Sequence, residues 1–142
     1  MMFGLTTSHG TLLCVDRAER RVVHRPPHLV EQHDLLLCPG VERPGFGLIG
    51  SDGSWRPLDI GLASPARATT PPDVALHVHG GLLSIRGSSG FFTAPPDGST
   101  RLDSPDAHDW EAFGAISFTA LADLIALSRS AWLRVGTRTT AS

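Results

Sequence analysis

Gly90 to Phe118 reads GFFTAPPDGSTRLDSPDAHDWEAFGAISF and has the form of one complete β unit. An apolar run from Phe91 to Ala94 meets a tight turn at Pro95-Pro96-Asp97-Gly98 and returns through Thr100 to Leu102. The chain then loops out through Ser104 to His108 and ends on Trp110 to Phe118. Short apolar runs divided by Pro, Asp and Gly read as hairpin strands, because Pro presets φ for a turn and Gly accepts the left-handed backbone that closes it.

The same unit recurs upstream. At a spacing of 45 residues, Gly45-Phe46 followed by Asp52-Gly53-Ser54-Trp55-Arg56 matches Gly90-Phe91 followed by Asp97-Gly98-Ser99-Thr100-Arg101. A worn third copy is TLLCVDRAERRVV, Thr11 to Val23, with Arg17 to Arg20 at the hairpin tip and Leu12 in the place of Phe46 and Phe91. The closing part recurs as His33-Asp34-Leu35, Pro72-Asp73-Val74 and His108-Asp109-Trp110, each an acidic residue leading into an apolar strand. Units of about 35 to 45 residues follow, the period of a repeat architecture. Strands are expected at Phe3 to Thr7, Thr11 to Val15, Arg20 to His24, His33 to Cys38, Phe46 to Ile49, Trp55 to Leu58, Val74 to Val78 and Leu82 to Ile85. The Pro-rich and Thr-rich stretch Ala63 to Pro72 is expected as a surface loop.

From Thr119 the period changes. TALADLIALSRSAWLRV places Leu121, Leu124, Ile125, Ser128, Trp132 and Val135 at three- and four-residue steps, which is helical. A helix of that length needs a surface to lie on, either its own barrel or a second subunit.

Three units with tight hairpins predict an all-β chain: a β-trefoil of three four-stranded units over residues 1–118, a C-terminal amphipathic helix over 119–135 and a disordered tail over 136–142. HGTLLCVD (His9 to Asp16), GFFTAPPDGSTRLD (Gly90 to Asp103) and DWEAF (Asp109 to Phe113) resemble the repeats of fascin-like β-trefoils. The resemblance implies the fold. It does not extend to actin bundling, because no Lys-rich surface exists and the middle unit lacks the closing Trp.

With 142 residues, 41% of them hydrophobic and 18% charged, the chain is long enough to bury a core without staples. A formal charge of −2 gives no excess of cations for a phosphate backbone, so nucleic acid is not expected as a partner. All 12 cations are Arg, with no Lys, Asn or Tyr, a bias that fits GC-rich coding. The N-terminus has no basic stretch ahead of a long apolar one and no segment approaches a membrane span, so a cytoplasmic protein with no membrane partner is expected. Cys14 and Cys38, with 23 residues between them, fit no paired metal spacing and read as buried free thiols, with a disulfide as the alternative.

The motifs that carry chemistry elsewhere are weak here. His77 and His79 share a strand face, but two ligands do not make a metal site. Gly45 to Gly50 satisfies GxGxxG yet runs into a turn, not the helix that would receive a pyrophosphate. His79-Gly80-Gly81 has no nucleophile elbow to serve. Asp103, Asp106 and Asp109 cluster in one loop and Asp109 shares a strand face with Glu111, a set that reads as loop solubility and turn formation and not as a glycosidase pair. No catalytic residue, metal or cofactor is therefore assigned. The best binding feature is the pair of hairpin tips, Asp52, Trp55 and Arg56 with Asp97 and Arg101: an indole for a sugar ring, with donors and acceptors for its hydroxyls. The competing role for Trp55 is as a plug in the barrel base. The expected function is non-enzymatic recognition of a glycan or protein ligand, most simply a lectin-like one. The alternative is an assembly module that forms a homo-oligomer through residues 119–135.

Overall fold

Turn chemistry cuts the chain into short strands, and burial on two faces gives the first of them their unbroken apolar runs. The computed structural model describes residues 2–39, 45–59, 64–65, 74–87 and 89–141. Strand β1 is Phe3–Thr6, β2 is Leu12–Asp16 and β3 is Arg21–Arg25. β2 and β3 pair antiparallel from Leu12↔Arg25 to Asp16↔Arg21. Asp16 ties off their tip, accepting from the Glu19 amide at 3.0 Å and from Arg25 Nη2 at 2.8 Å. A 3-10 turn at Gln32–Asp34 leads into β4, Leu37–Cys38.

β5 is Phe46–Ile49 and β6 is Trp55–Asp59, in register from Phe46↔Leu58 to Ile49↔Trp55, with β7, Ser64–Pro65, beside β6. A second sheet holds β8 (Ala75–His79), β9 (Leu82–Gly87), β10 (Gly90–Thr93) and β11 (Arg101–Ser104) in the order β11-β10-β9-β8. A 3-10 turn at Asp109–Glu111 precedes β12, Gly114–Ser117, which pairs with β1. The chain ends in α1, Phe118–Ala141. The architecture is mostly β, of curled antiparallel sheets with one C-terminal helix.

Two apolar cores result. The inner one gathers Leu5, Leu13, Val15, Leu36, Phe46, Leu83, Ile85, Phe92 and Phe113. The outer one holds Leu12, Cys14, Val23, Val30, Leu35 and Leu37 under Leu121 and Ile125 of α1. Alternate residues of β2 thus serve opposite cores, so LLCV is apolar throughout.

The helix lies on the chain's own sheet, and no helix among the described residues is long and apolar enough to cross a membrane. Arg129 Nη2 fastens it, donating to the Val30 carbonyl at 2.8 Å and to Glu31 Oε1 at 3.0 Å. α1 continues past Val135, where the sequence reading ended it and began a disordered tail. Gly136 weakens a helix but does not break it, and no Pro follows. The side chains of Trp132 and Val135, and the Ala63 to Pro72 stretch apart from Ser64–Pro65, lie outside the described residues.

Close approach of α1 depends on Gly4, where a Cβ would overlap Leu121 Cδ1. Gly4→Ala is therefore expected to lower stability by about 1–3 kcal/mol through overpacking, read as a fall in thermal midpoint. An unchanged midpoint would mean that the helix does not seat there.

The repeat matching needs correction at its apolar positions. Leu12 belongs to the outer core and Phe46 to the inner one. Phe91 is half-buried under the Arg86 guanidinium, 5.6 Å from its ring centroid. Successive strand residues face opposite ways, so a match slipped by one residue lands on the wrong face; Phe92 is the residue that points inward. The expected strands at His33 to Cys38 and Trp110 to Phe118 both begin instead with a 3-10 turn. These turns form the better internal match, each leading to a residue with 0% exposure, Leu36 and Phe113.

Candidate functional site

Two Asp-x-Ser turns look alike and are built alike. Asp52 Oδ1 accepts from the Ser54 amide at 3.0 Å and its hydroxyl at 2.6 Å, and Asp97 Oδ1 does the same with Ser99. The serine hydroxyl, then the serine amide, holds each carboxyl below its ordinary range. Gly53 and Gly98 follow with φ of 81° and 90°. Both aspartates are thus turn builders, each with one oxygen engaged.

The five residues expected at the hairpin tips do not meet in one cavity. Trp55 is half-buried and packs on the outer core, not at a barrel base. Arg56 lies near Asp52 on the β5–β6 hairpin, whereas Asp97 and Arg101 belong to the β10–β11 hairpin of the other sheet. Of the five, Arg101 alone lines the cavity described next.

That cavity, of about 480 Å³, opens between β11 and the turn at Asp109–Glu111. Thr93, Arg101, Asp103, Ser104, Pro105, His108, Asp109, Trp110 and Glu111 line it. Strict alternation would turn Ser104 away from Arg101 and Asp103. The β10–β11 register shifts between Phe91↔Ser104 and Thr93↔Arg101, two steps on one strand against three on the other. This bulge brings all three to one wall.

The floor is polar and buried. Glu111 is 4% exposed; Oε1 accepts from the His108 amide at 3.0 Å, and Oε2 accepts from the Thr93 hydroxyl at 2.5 Å. The first bond closes the 3-10 turn on itself and the second ties it to β10. At the rim stands Trp110, 44% exposed.

Behind Trp110 a chain of hydrogen bonds joins the first strands to the β10–β11 hairpin. His9 stacks on His24, with centroids 5.4 Å apart, and leans toward Trp110 at 6.4 Å. His24 Nε2 meets the Pro95 carbonyl at 2.5 Å, and His9 Nε2 the Ala94 carbonyl at 2.9 Å. A carbonyl only accepts, so both Nε2 atoms donate. In the neutral ring His24 Nδ1 then accepts from the Thr11 hydroxyl at 2.7 Å. Thr11, its proton spent, accepts from Thr7 at 2.5 Å, and Thr7 accepts from the His9 amide at 3.2 Å. Every proton in this series has one place.

Sequence reasoning missed Trp110 as the rim aromatic and Glu111 as a buried group, expecting neither burial nor a pocket from the acidic loop. The available signal was Glu111 three residues after His108, the spacing by which a side chain closes the start of a helical turn. His77 and His79 stand exposed on β8, stacked at 6.5 Å, and no group of three or more possible metal ligands occurs among the described residues. Cys14 and Cys38 are buried and not joined in a disulfide, and burial pushes the Cys14 thiol up to about 11. Gly45 to Gly50 spans β5 and runs into the Asp52 turn. No family model, no curated protein and no solved structure matches the chain.

Proposed function

We propose that the chain is a non-enzymatic recognition module of β-trefoil type that takes a carbohydrate in the Trp110 cavity. The strand pairing supports the fold reading. β5, β4, β1 and β12 pair in succession, β12 is preceded by Phe113 bonded reciprocally to Leu83 of β9 at 2.7 and 2.8 Å, and β9 pairs β8. Six strands in antiparallel sequence, with the hairpins β2–β3, β6–β7 and β10–β11 off this path, are the parts of a six-stranded barrel capped by three hairpins. In this reading the barrel closes between β5 and β8, and the likeness to fascin-type repeats belongs to the fold alone.

One observation carries the function: a half-exposed indole beside a cavity lined also by carboxyls, a guanidinium, hydroxyls, an imidazole and a proline ring. A sugar ring has an apolar face for the indole and hydroxyls that both donate and accept. Glu111, held by Thr93 and its own turn, acts as floor and not as reagent. Self-association through residues 119–135 would have to use the outer face of α1, where Leu127 is exposed, since Leu121 and Ile125 are spent on the chain's own core.

Titration calorimetry on hits from a glycan array tests the site. Trp110→Ala is expected to weaken binding by about 30-fold or more, the loss typical of a central aromatic anchor. Trp55→Ala is expected to leave affinity unchanged. Equal affinity for Trp110→Ala and the parent would remove the assigned site.

A further inference from the structure

We infer that the sugar unit taken by the Trp110 cavity is a hexosamine with a free, protonated amine, an inference that rests on the carbohydrate reading above. The charges around the cavity do not cancel. Asp103, Asp109 and Glu111 line it against a single guanidinium, Arg101, with His108 besides. Arg101 is already engaged, its Nε 3.7 Å from Asp103 Oδ1. His108 faces Asp106, with Nε2 3.9 Å from Oδ2.

Among the described residues, two carboxyl groups of the cavity are left without a cation. Glu111, buried at the floor, accepts only from neutral donors, the Thr93 hydroxyl and the His108 amide. The Asp109 carboxyl has no hydrogen-bond or ion-pair partner among the described residues, though Asp109 begins the same turn and lines the same cavity. A carboxylate facing a cavity gains more from a ligand that brings its own positive charge than from a neutral one, since charge-assisted hydrogen bonds are roughly twice as strong as neutral ones.

Trp110 adds to that preference, because an indole face attracts a cation as well as the apolar face of a sugar ring. The same geometry disfavours the neighbouring chemistries. A uronic acid would bring a third unpaired negative charge to Asp109 and Glu111. An N-acetylated hexosamine replaces the ammonium with a neutral amide and adds bulk at the same position, and an unsubstituted hexose supplies hydroxyls but no charge.

The experiment is calorimetry of the full chain with glucosamine oligomers, their N-acetylated counterparts and glucose oligomers of the same linkage, with a lysine-containing tripeptide as the non-sugar amine. The expected result is binding of the glucosamine oligomer about 10-fold or more tighter than either other sugar, with no binding of the peptide. Asp109→Asn should erase that preference, and raised salt should shrink it. Equal affinity for the three sugars, or preference for the acetylated one, overturns the charge argument, while loss of binding in Trp110→Ala would still support the carbohydrate site. Binding of no sugar at all overturns both. Binding of the peptide as tightly as the glucosamine oligomer overturns the assignment to a sugar. Circular dichroism of Asp109→Asn, which alters an exposed side chain, separates loss of preference from loss of fold.

Discussion

Phe113→Ala is expected to cost about 3–5 kcal/mol of folding stability, the range for truncating a buried aromatic. Phe113 is fully buried in the inner core, its ring 5.8 Å from that of Phe92 at 45°. Its backbone is held on both sides by Leu83, so the strand cannot slide in to fill the space that the ring leaves. Against a total stability of about 5–15 kcal/mol for a domain, such a loss brings the unfolded chain into measurable population. Urea denaturation reads it as a lower midpoint with an unchanged slope, because the surface exposed on unfolding stays nearly the same. Phe91→Ala is the control. Phe91 is only half-buried, and its main partner is an exposed guanidinium. A larger loss at Phe91 than at Phe113 would mean that Phe91, and not Phe113, faces the inner core.

That comparison marks the limit of what the sequence makes legible. Turns were readable because each rests on a few neighbouring residues: Asp52-Gly53-Ser54 and Asp97-Gly98-Ser99 close through bonds two residues long. Strands flanking such turns followed, and so did the helix from Thr119, whose stripe through Leu121 and Ile125 is buried as its period required. Which way a strand faces is a different matter, settled by contacts made far along the chain. Nothing local distinguishes Phe91 from Phe92, and the bulge opposite them makes counting by twos unreliable.

The site failed for the same reason. Trp110 and Glu111 adjoin in sequence, but Glu111 becomes a cavity floor only where Thr93 reaches it from β10, and Trp110 becomes a rim only where His9 backs it from the first loop. A cluster of acidic residues reads as a solvated loop until a second element covers part of it. Trp55 drew attention because it follows a recognisable turn, and it lies against the outer core. Position beside a turn identifies where the chain reverses, not which side chain is left facing water.

Removing the helix is the harder test of the two-core arrangement. A chain ending at Phe118 is expected to lose about 3–6 kcal/mol from the burial of Leu121 and Ile125 alone, at about 1.5–3 kcal/mol for each side chain. The Arg129 bonds to Val30 and Glu31 go with them. The damage does not stop at the helix, since Leu12, Cys14, Val23, Val30, Leu35 and Leu37 would then present one contiguous apolar face. Such a face drives association in water. Light scattering is expected to show large assemblies for the shortened chain, and a hydrophobic dye should bind it where it does not bind the full one. Leu121→Ala in the full chain, expected to cost about 2–5 kcal/mol, separates loss of this contact from loss of chain length. A shortened chain that stays monomeric with an unchanged thermal midpoint would show that the outer core needs no cover. An orderly dimer of it would show that residues 119–135 are not how copies of this chain meet.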